Sequence, residues 1–153
     1  MGTDRLLRLS NEQAITATAV STDKIDLRGA APQNRDIGGA KQLYMNVHVA
    51  ENFATATSLT IQIVSSANAD LSSHHILAAT DAIPIANLVT SRKDPISLAI
   101  PPHALIADAK GRRYLGARYL IGGSNATAGK VTTFITDRAP MAAANYDSGY
   151  VVT

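Results

Sequence analysis

At 153 residues and 16.1 kDa, the chain has the length of one ordinary domain, long enough to bury roughly two-thirds of its extended surface. It is 46% hydrophobic and 17% charged, with 5% aromatic residues, no Trp and no Cys, which argues against a disordered polyelectrolyte and a base-stacking platform and excludes disulfides, thiolate zinc sites and cysteine nucleophiles. The net charge is +2, but the fourteen Lys and Arg are spread among twelve acids, so no basic stripe for nucleic acid is present.

In chain order, residues 5–9 read as a short strand, residues 14–20 alternate small and branched side chains, and residues 23–27 read as another short strand, broken by Arg28-Gly29. After Gly38-Gly39, Leu43, Met45, Val47 and Val49 alternate with Tyr44, Asn46 and His48. That period of two predicts a half-buried antiparallel strand. Residues 59–65 repeat the device with Leu59, Ile61 and Ile63. Asn68-Ala69-Asp70 is turn-like, residues 76–80 are a strand candidate, and residues 82–88 fit either a short strand or one helical turn. Ile96, Leu98 and Ile100 alternate with Ser97 and Ala99 until Pro101-Pro102 ends the ladder. Residues 114–121 set Leu115, Ala117, Tyr119 and Ile121 against Tyr114, Gly116, Arg118 and Leu120, and residues 130–136 form a Thr-rich strand. Gly122-Gly123-Ser124-Asn125 is expected to join these two as a hairpin.

Roughly seven to ten short strands, with no helix of three turns, predict an all-β fold: an antiparallel β-sandwich of jelly-roll type with little or no helix. One domain covers residues 1–137, including a short N-terminal arm. Residues 138–153 form a C-terminal arm ending in the strand-like Tyr150-Val151-Val152-Thr153, which suits an added strand, a latch on a partner or a final strand of its own domain.

Chemistry is sparse. His74 and His75 are adjacent, so a strand points them to opposite faces, and His48 and His103 lie far away in sequence. No metal site is predicted. Serines fall in turn-like clusters without a Gly-x-Ser-x-Gly elbow. Asp23 with Asp26, or Asp81 with Asp94, are acid pairs better explained as solvated surface. Gly38-Gly39 and Gly122-Gly123 precede no helix that could cradle a phosphate, and Asn125-Ala126-Thr127 matches a glycosylation sequon without a secretory signal. No apolar run reaches the ~20 residues of a membrane span. The expectation is a soluble protein without cofactor or catalytic activity, acting through its surfaces.

Ile25-Asp26-Leu27, Arg35-Asp36-Ile37-Gly38, the strand from Leu43 to Val49, Leu59-Thr60-Ile61-Gln62-Ile63, Ile85-Ala86-Asn87-Leu88, the Ile96 to Pro102 stretch, Arg113-Tyr114-Leu115, Tyr119 and Gly129-Lys130-Val131-Thr132 follow in an order and spacing that resembles the capsid cement, or decoration, proteins of short-tailed bacteriophages. The resemblance covers about residues 6–137, and the arm beyond is longer than the family pattern. It implies a jelly roll made in the bacterial host cytoplasm that sits as a homodimer or homotrimer on the outer surface of the virion. There it bridges subunits of the major capsid protein, with no nucleic-acid or membrane partner. Such a brace needs only modest contacts, because a lattice makes each further contact effectively intramolecular. Expected anchors are Tyr44, Tyr114, Tyr119, Tyr146 and Tyr150, with basic contacts from Arg112, Arg113 and Arg118. The alternative is a lectin-like module for host glycans, disfavoured by the few aromatics; a cupin-type enzyme is disfavoured by four dispersed His and two Glu.

Overall fold

The computed structural model describes residues 7–27, 42–92, 94–101 and 113–137. Ten strands follow in sequence: β1 (Arg8–Ala14), β2 (Ala19–Val20), β3 (Ile25–Asp26), β4 (Leu43–Ala54), β5 (Ser58–Ser66), β6 (His75–Ala79), β7 (Ile83–Pro84), β8 (Ile96–Ile100), β9 (Tyr114–Gly122) and β10 (Ala128–Thr136). A 3-10 turn at Ile85–Asn87 follows β7, so the ambiguous stretch at residues 82–88 holds both a short strand and a helical turn.

The strands form two antiparallel sheets, one ordered β1-β10-β4-β8 and the other β2-β9-β5-β6, with β3 also on β9 and β7 also on β5. The pairings nest. β1 lies against β10, β2 and β3 against β9, β4 against β8, and β5 against β6 and β7. This nesting across two sheets is the jelly-roll topology.

Alternation builds the core as the sequence suggests. Met45 and Val47 of β4, Leu59, Ile61 and Ile63 of β5, Leu115, Ala117 and Tyr119 of β9, and Val131 and Ile135 of β10 all point inward and are buried together. A second, smaller cluster lies on the outer face of the second sheet. Leu71, in the loop before β6, is 1% exposed, and a Cβ on Gly116 would run into its Cδ1. A side chain at position 116 would require the buried Leu71 side chain to shift, so glycine is favoured there by close approach rather than by conformation.

Four expectations change. β1 begins at Arg8 and runs on to Ala14, five residues past the expected end at Leu9, while residues 5 and 6 lie outside the described residues. It shifts register twice against β10, and Glu12 takes a left-handed φ of 46°. Bulges of this kind erase the period of two that a sequence reading depends on. Likewise, of residues 14–20, Ala14 closes β1 and Ala19 and Val20 form β2, while residues 15–18 are not strand. The hairpin between residues 114–121 and 130–136 does not exist. β9 pairs with β5, β2 and β3, whereas β10 pairs with β4 and β1, so Gly123 to Thr127 carries the chain from one sheet to the other. Both strands have an inward apolar row, and stacking those rows across the core buries more than pairing side by side. Finally, β4 is not half-buried throughout. Asn46, on the face opposite Met45 and Val47, is 3% exposed and donates from Nδ2 to Thr136 Oγ1 at 2.8 Å.

Candidate functional site

β9 runs from Tyr114 to Gly122 and β10 returns from Ala128 to Thr136, both nine residues long. Tyr114 and Thr136 therefore lie at the same end of the sandwich. Leu27 donates its N–H to Arg113 O (2.9 Å), Leu43 pairs with Ile100, and Tyr44 pairs with Thr136 and Ala99 at that end. Leu7, Leu27, Gln42, Pro101, Arg113 and Asp137, which border residues 1–6, 28–41, 102–112 and 138–153, are gathered there. The opposite end has the tight connections Thr55 to Thr57 and Gly123 to Thr127 and also the longer link from β7 to β8, where Phe53 donates its N–H to Leu88 O (3.2 Å) and Thr90 donates its N–H to Asn52 Oδ1 (2.7 Å). Seven of the fourteen Lys and Arg, but only four of the twelve acids, belong to the four segments that meet the first end.

At the rim of that end stands a small charged and aromatic group. β3 sets Asp26 beside Tyr114. Arg113 donates from Nε to Asp26 Oδ1 (2.7 Å) and from Nη2 to Asp26 Oδ2 (2.6 Å), and its guanidinium carbon lies 5.1 Å from the centroid of the Tyr114 ring. The carboxylate hydrogen bond raises the Arg113 pKa above its ordinary value. Both side chains are 34% exposed. A two-pronged pair of this kind gives little stability in water, but it fixes a planar cation over an aromatic face. That geometry suits contact with a protein surface.

The other predicted anchors scatter. Tyr44 is partly buried at the same end but in the other sheet. Arg118 lies mid-strand on the outer face, donating from Nη1 to Gln62 Oε1 at 3.0 Å. Arg112, Tyr146 and Tyr150 lie outside the described residues, as do His103 and Gly38-Gly39. Tyr119 is corrected outright: it is 0% exposed and cannot anchor a partner. Its hydroxyl lies 2.7 Å from Ser10 Oγ and 2.6 Å from Thr133 Oγ1, and Ser10 Oγ donates to Gln13 Oε1 at 2.7 Å. A consistent chain of donors runs from Thr133 to Tyr119 to Ser10 to Gln13. It ties β9 of one sheet to β1 and β10 of the other, and burial pushes the Tyr119 pKa up to about 12. Asp26 was the residue missed as Arg113's partner. Its position in a two-residue strand hides the pairing, which is set by β3 lying on β9 across the sequence.

The remaining titratable groups are dispersed. His48 stacks on Phe134, with centroids 5.3 Å apart and planes at 14°, and burial there lowers its pKa. His74 places Nδ1 3.0 Å from Leu71 O, and His75 is exposed. Glu51 and Lys130 form an exposed pair at 3.2 Å, and their hydrogen bond lowers the Glu51 pKa. Among the described residues, no group of three or more His, Cys, Asp or Glu could hold a metal ion.

A comparison with family models matches Bbp16 over residues 9–135, a span that opens inside β1 and closes inside β10 and so takes in the whole sandwich. No curated protein matches the chain. The chain belongs to the Bbp16 family, a family associated with bacteriophages.

Proposed function

We propose that this protein is a capsid cement, or decoration, protein of a tailed phage. It lies on the outer surface of the head, bridges neighbouring major capsid protein subunits, self-associates, and stabilises the mature shell without performing catalysis. The observation that carries the reading is the asymmetry of the sandwich. One end gathers Leu27, Pro101, Arg113 and Asp137 with the Asp26–Arg113–Tyr114 group, while the other end holds the turns at Thr55 to Thr57 and Gly123 to Thr127 and the β7 to β8 link, which is hydrogen-bonded to β4. A rigid body with one contact-rich end suits a clamp, and membership of a phage-associated family supports a virion setting.

Mechanistically, a clamp of this kind binds only the assembled lattice. Its binding free energy therefore adds to the stability of the shell and not to that of free subunits. Several weak contacts suffice, because the second contact is made at the high effective concentration that the first imposes. The fold supplies a stiff spacer between those contacts, since the buried Tyr119 hydroxyl ties the two sheets together through Ser10 and Thr133.

Deleting residues 138–153 is expected to leave the circular dichroism of the β-sandwich unchanged and to weaken attachment to heads, measured by co-sedimentation with particles stripped of the protein. An unfolded truncation would assign that segment to the core, and an unaltered co-sedimentation would remove it from the clamp. Arg113→Glu tests the rim in the same assay. Facing Asp26 with a second carboxylate breaks the pair, and attachment should fall while the apolar core stays intact.

A further inference from the structure

A sandwich of two open sheets leaves edge strands whose unpaired N–H and C=O groups invite another strand; proteins guard them with charge, proline, bulges or brevity. Here β1 carries the left-handed Glu12 and two register shifts. β2 and β3 have two residues each, and β8 is framed by Pro95 and Pro101. β6, with sequence His-Ile-Leu-Ala-Ala, carries neither acid, Lys, Arg nor proline. It also bears Ile76, which is 53% exposed and is the exposed large hydrophobic side chain of the described residues.

The one irregularity of β6 sets its register. Ala79 faces Gln62 and Ala78 faces Ile63, but Ile76 faces Val64, leaving Leu77 as an extra residue. Gln62 and Val64 are outer-face positions of β5, so this bulge puts Ile76 and Ala79 on the same face, where simple alternation would separate them. Leu77 and Ala78 both pack against the core. In antiparallel pairing, opposed residues share a face. A second β6 satisfies that rule while keeping four residues of each strand paired only with Ile76 against Ala79 and Leu77 against Ala78. Sliding by one or two residues sets an outer residue against an inner one. Continued outward, the permitted register brings His74 against Asp81. The segment has imidazoles at one end and a carboxylate at the other, so antiparallel self-pairing matches them twice. His74 Nδ1 is engaged by Leu71 O at 3.0 Å, which leaves Nε2 for the carboxylate, and Asp81 is exposed.

We propose that β6 is the self-association edge of this protein: two copies pair antiparallel about a two-fold axis, Ile76 of each on Ala79 of the other and His74 of each facing Asp81 of the other. The inference deepens the self-association within the proposed function by naming its surface, and it does not depend on the shell.

Because the chain has no cysteine, register can be read by cross-linking. Ile76→Cys and Ala79→Cys are made as separate proteins. Directly opposed positions of an antiparallel pair lie about 4.5–5.5 Å apart at Cα, within disulfide reach. Under mild oxidant the mixture should give a covalent dimer, and each protein alone should give far less. Asp81→Lys, at an exposed position, should keep the fold by circular dichroism and weaken self-association by sedimentation by about tenfold or more, since it turns two attractive pairs into repulsive ones. His74→Glu combined with Asp81→Lys should restore it. Equal cross-linking in the mixture and in the separate proteins, no cross-linking at all, or an Asp81→Lys protein that associates like the parent would overturn the inference. Heads that still bind a chain with no cross-link sink this surface and leave the cement reading standing. A chain that cross-links but ignores heads does the reverse.

Discussion

Replacing Tyr119 with alanine is expected to lower the unfolding free energy by about 3–5 kcal/mol, the range for removing a large aromatic ring from a packed core. The ring is wholly buried among the inward rows of both sheets, so neighbours can close the space only by moving strands toward each other. Tyr119→Phe isolates the hydroxyl. It strips Ser10 and Thr133 of their shared partner and should cost about 1–3 kcal/mol, the penalty for leaving buried polar groups without a bond. Thr133→Val in the Tyr119→Phe background should cost less than Thr133→Val alone, because the bond is already absent. Chemical denaturation of the four proteins measures this.

The same hydroxyl gives an alkaline signature. Its pKa rises from the ordinary 10.0 to about 12 on folding, so the folded state holds the proton more tightly. The corresponding stability is fully present below about pH 10, where both states are protonated, and is lost as pH rises toward 12. The loss amounts to roughly 2–3 kcal/mol from this group. Tyr119→Phe should remove that part of the alkaline fall, and an identical pH profile in the two proteins would refute the assignment.

The second large effect is expected at Gly129. Its φ is +140°, and a Cβ there would lie 2.5 Å from Phe53 Cδ1 and 2.6 Å from Cγ. The position lies in a register shift between β10 and β4, and its carbonyl accepts the Ile15 N–H at 2.9 Å. Gly129→Val combines a backbone region that is essentially glycine-only with overpacking against a buried ring, at about 1–3 kcal/mol each. Together they bring the expected loss to roughly 3–5 kcal/mol, against a total of about 5–15 kcal/mol for an ordinary domain. Phe53→Leu should recover part of it by relieving the ring contact, while the backbone part persists. A Gly129→Val protein as stable as the parent would show that β10 can re-route locally.

The strands legible in the sequence are those whose neighbours are regular. β8 matches its alternation residue for residue, and β5 and β9 are found to within a residue at each end because they pair with each other without a register shift, whereas β4 runs on to Ala54 and β10 starts at Ala128 through the shifts where those two strands meet. β1 was displaced by its bulges, which leave Leu9 and Ser10 both buried in succession. The cross-sheet passage at Gly123 to Thr127 was misread because a Gly-rich turn between two alternating strands has the same local signature whether the strands pair or stack. Tyr119 follows its inward row as the alternation requires, which conflicts with a role as a surface anchor. Its periodicity was the stronger physical signal. The rim group was only half legible: Arg113 and Tyr114 are neighbours in sequence, but Asp26 reaches them through a strand pairing across 87 residues, which no local pattern encodes.

The most direct measurement of the central claim is electron cryomicroscopy of phage heads carrying this protein, with the major capsid protein resolved alongside. The account predicts jelly-roll density on the outside of the shell, spanning adjacent capsid subunits, with the Asp26–Arg113–Tyr114 end toward them and the Gly123 to Thr127 end toward solvent. Heads that lack the protein on their exterior, or that hold it by the tight-turn end, would contradict it.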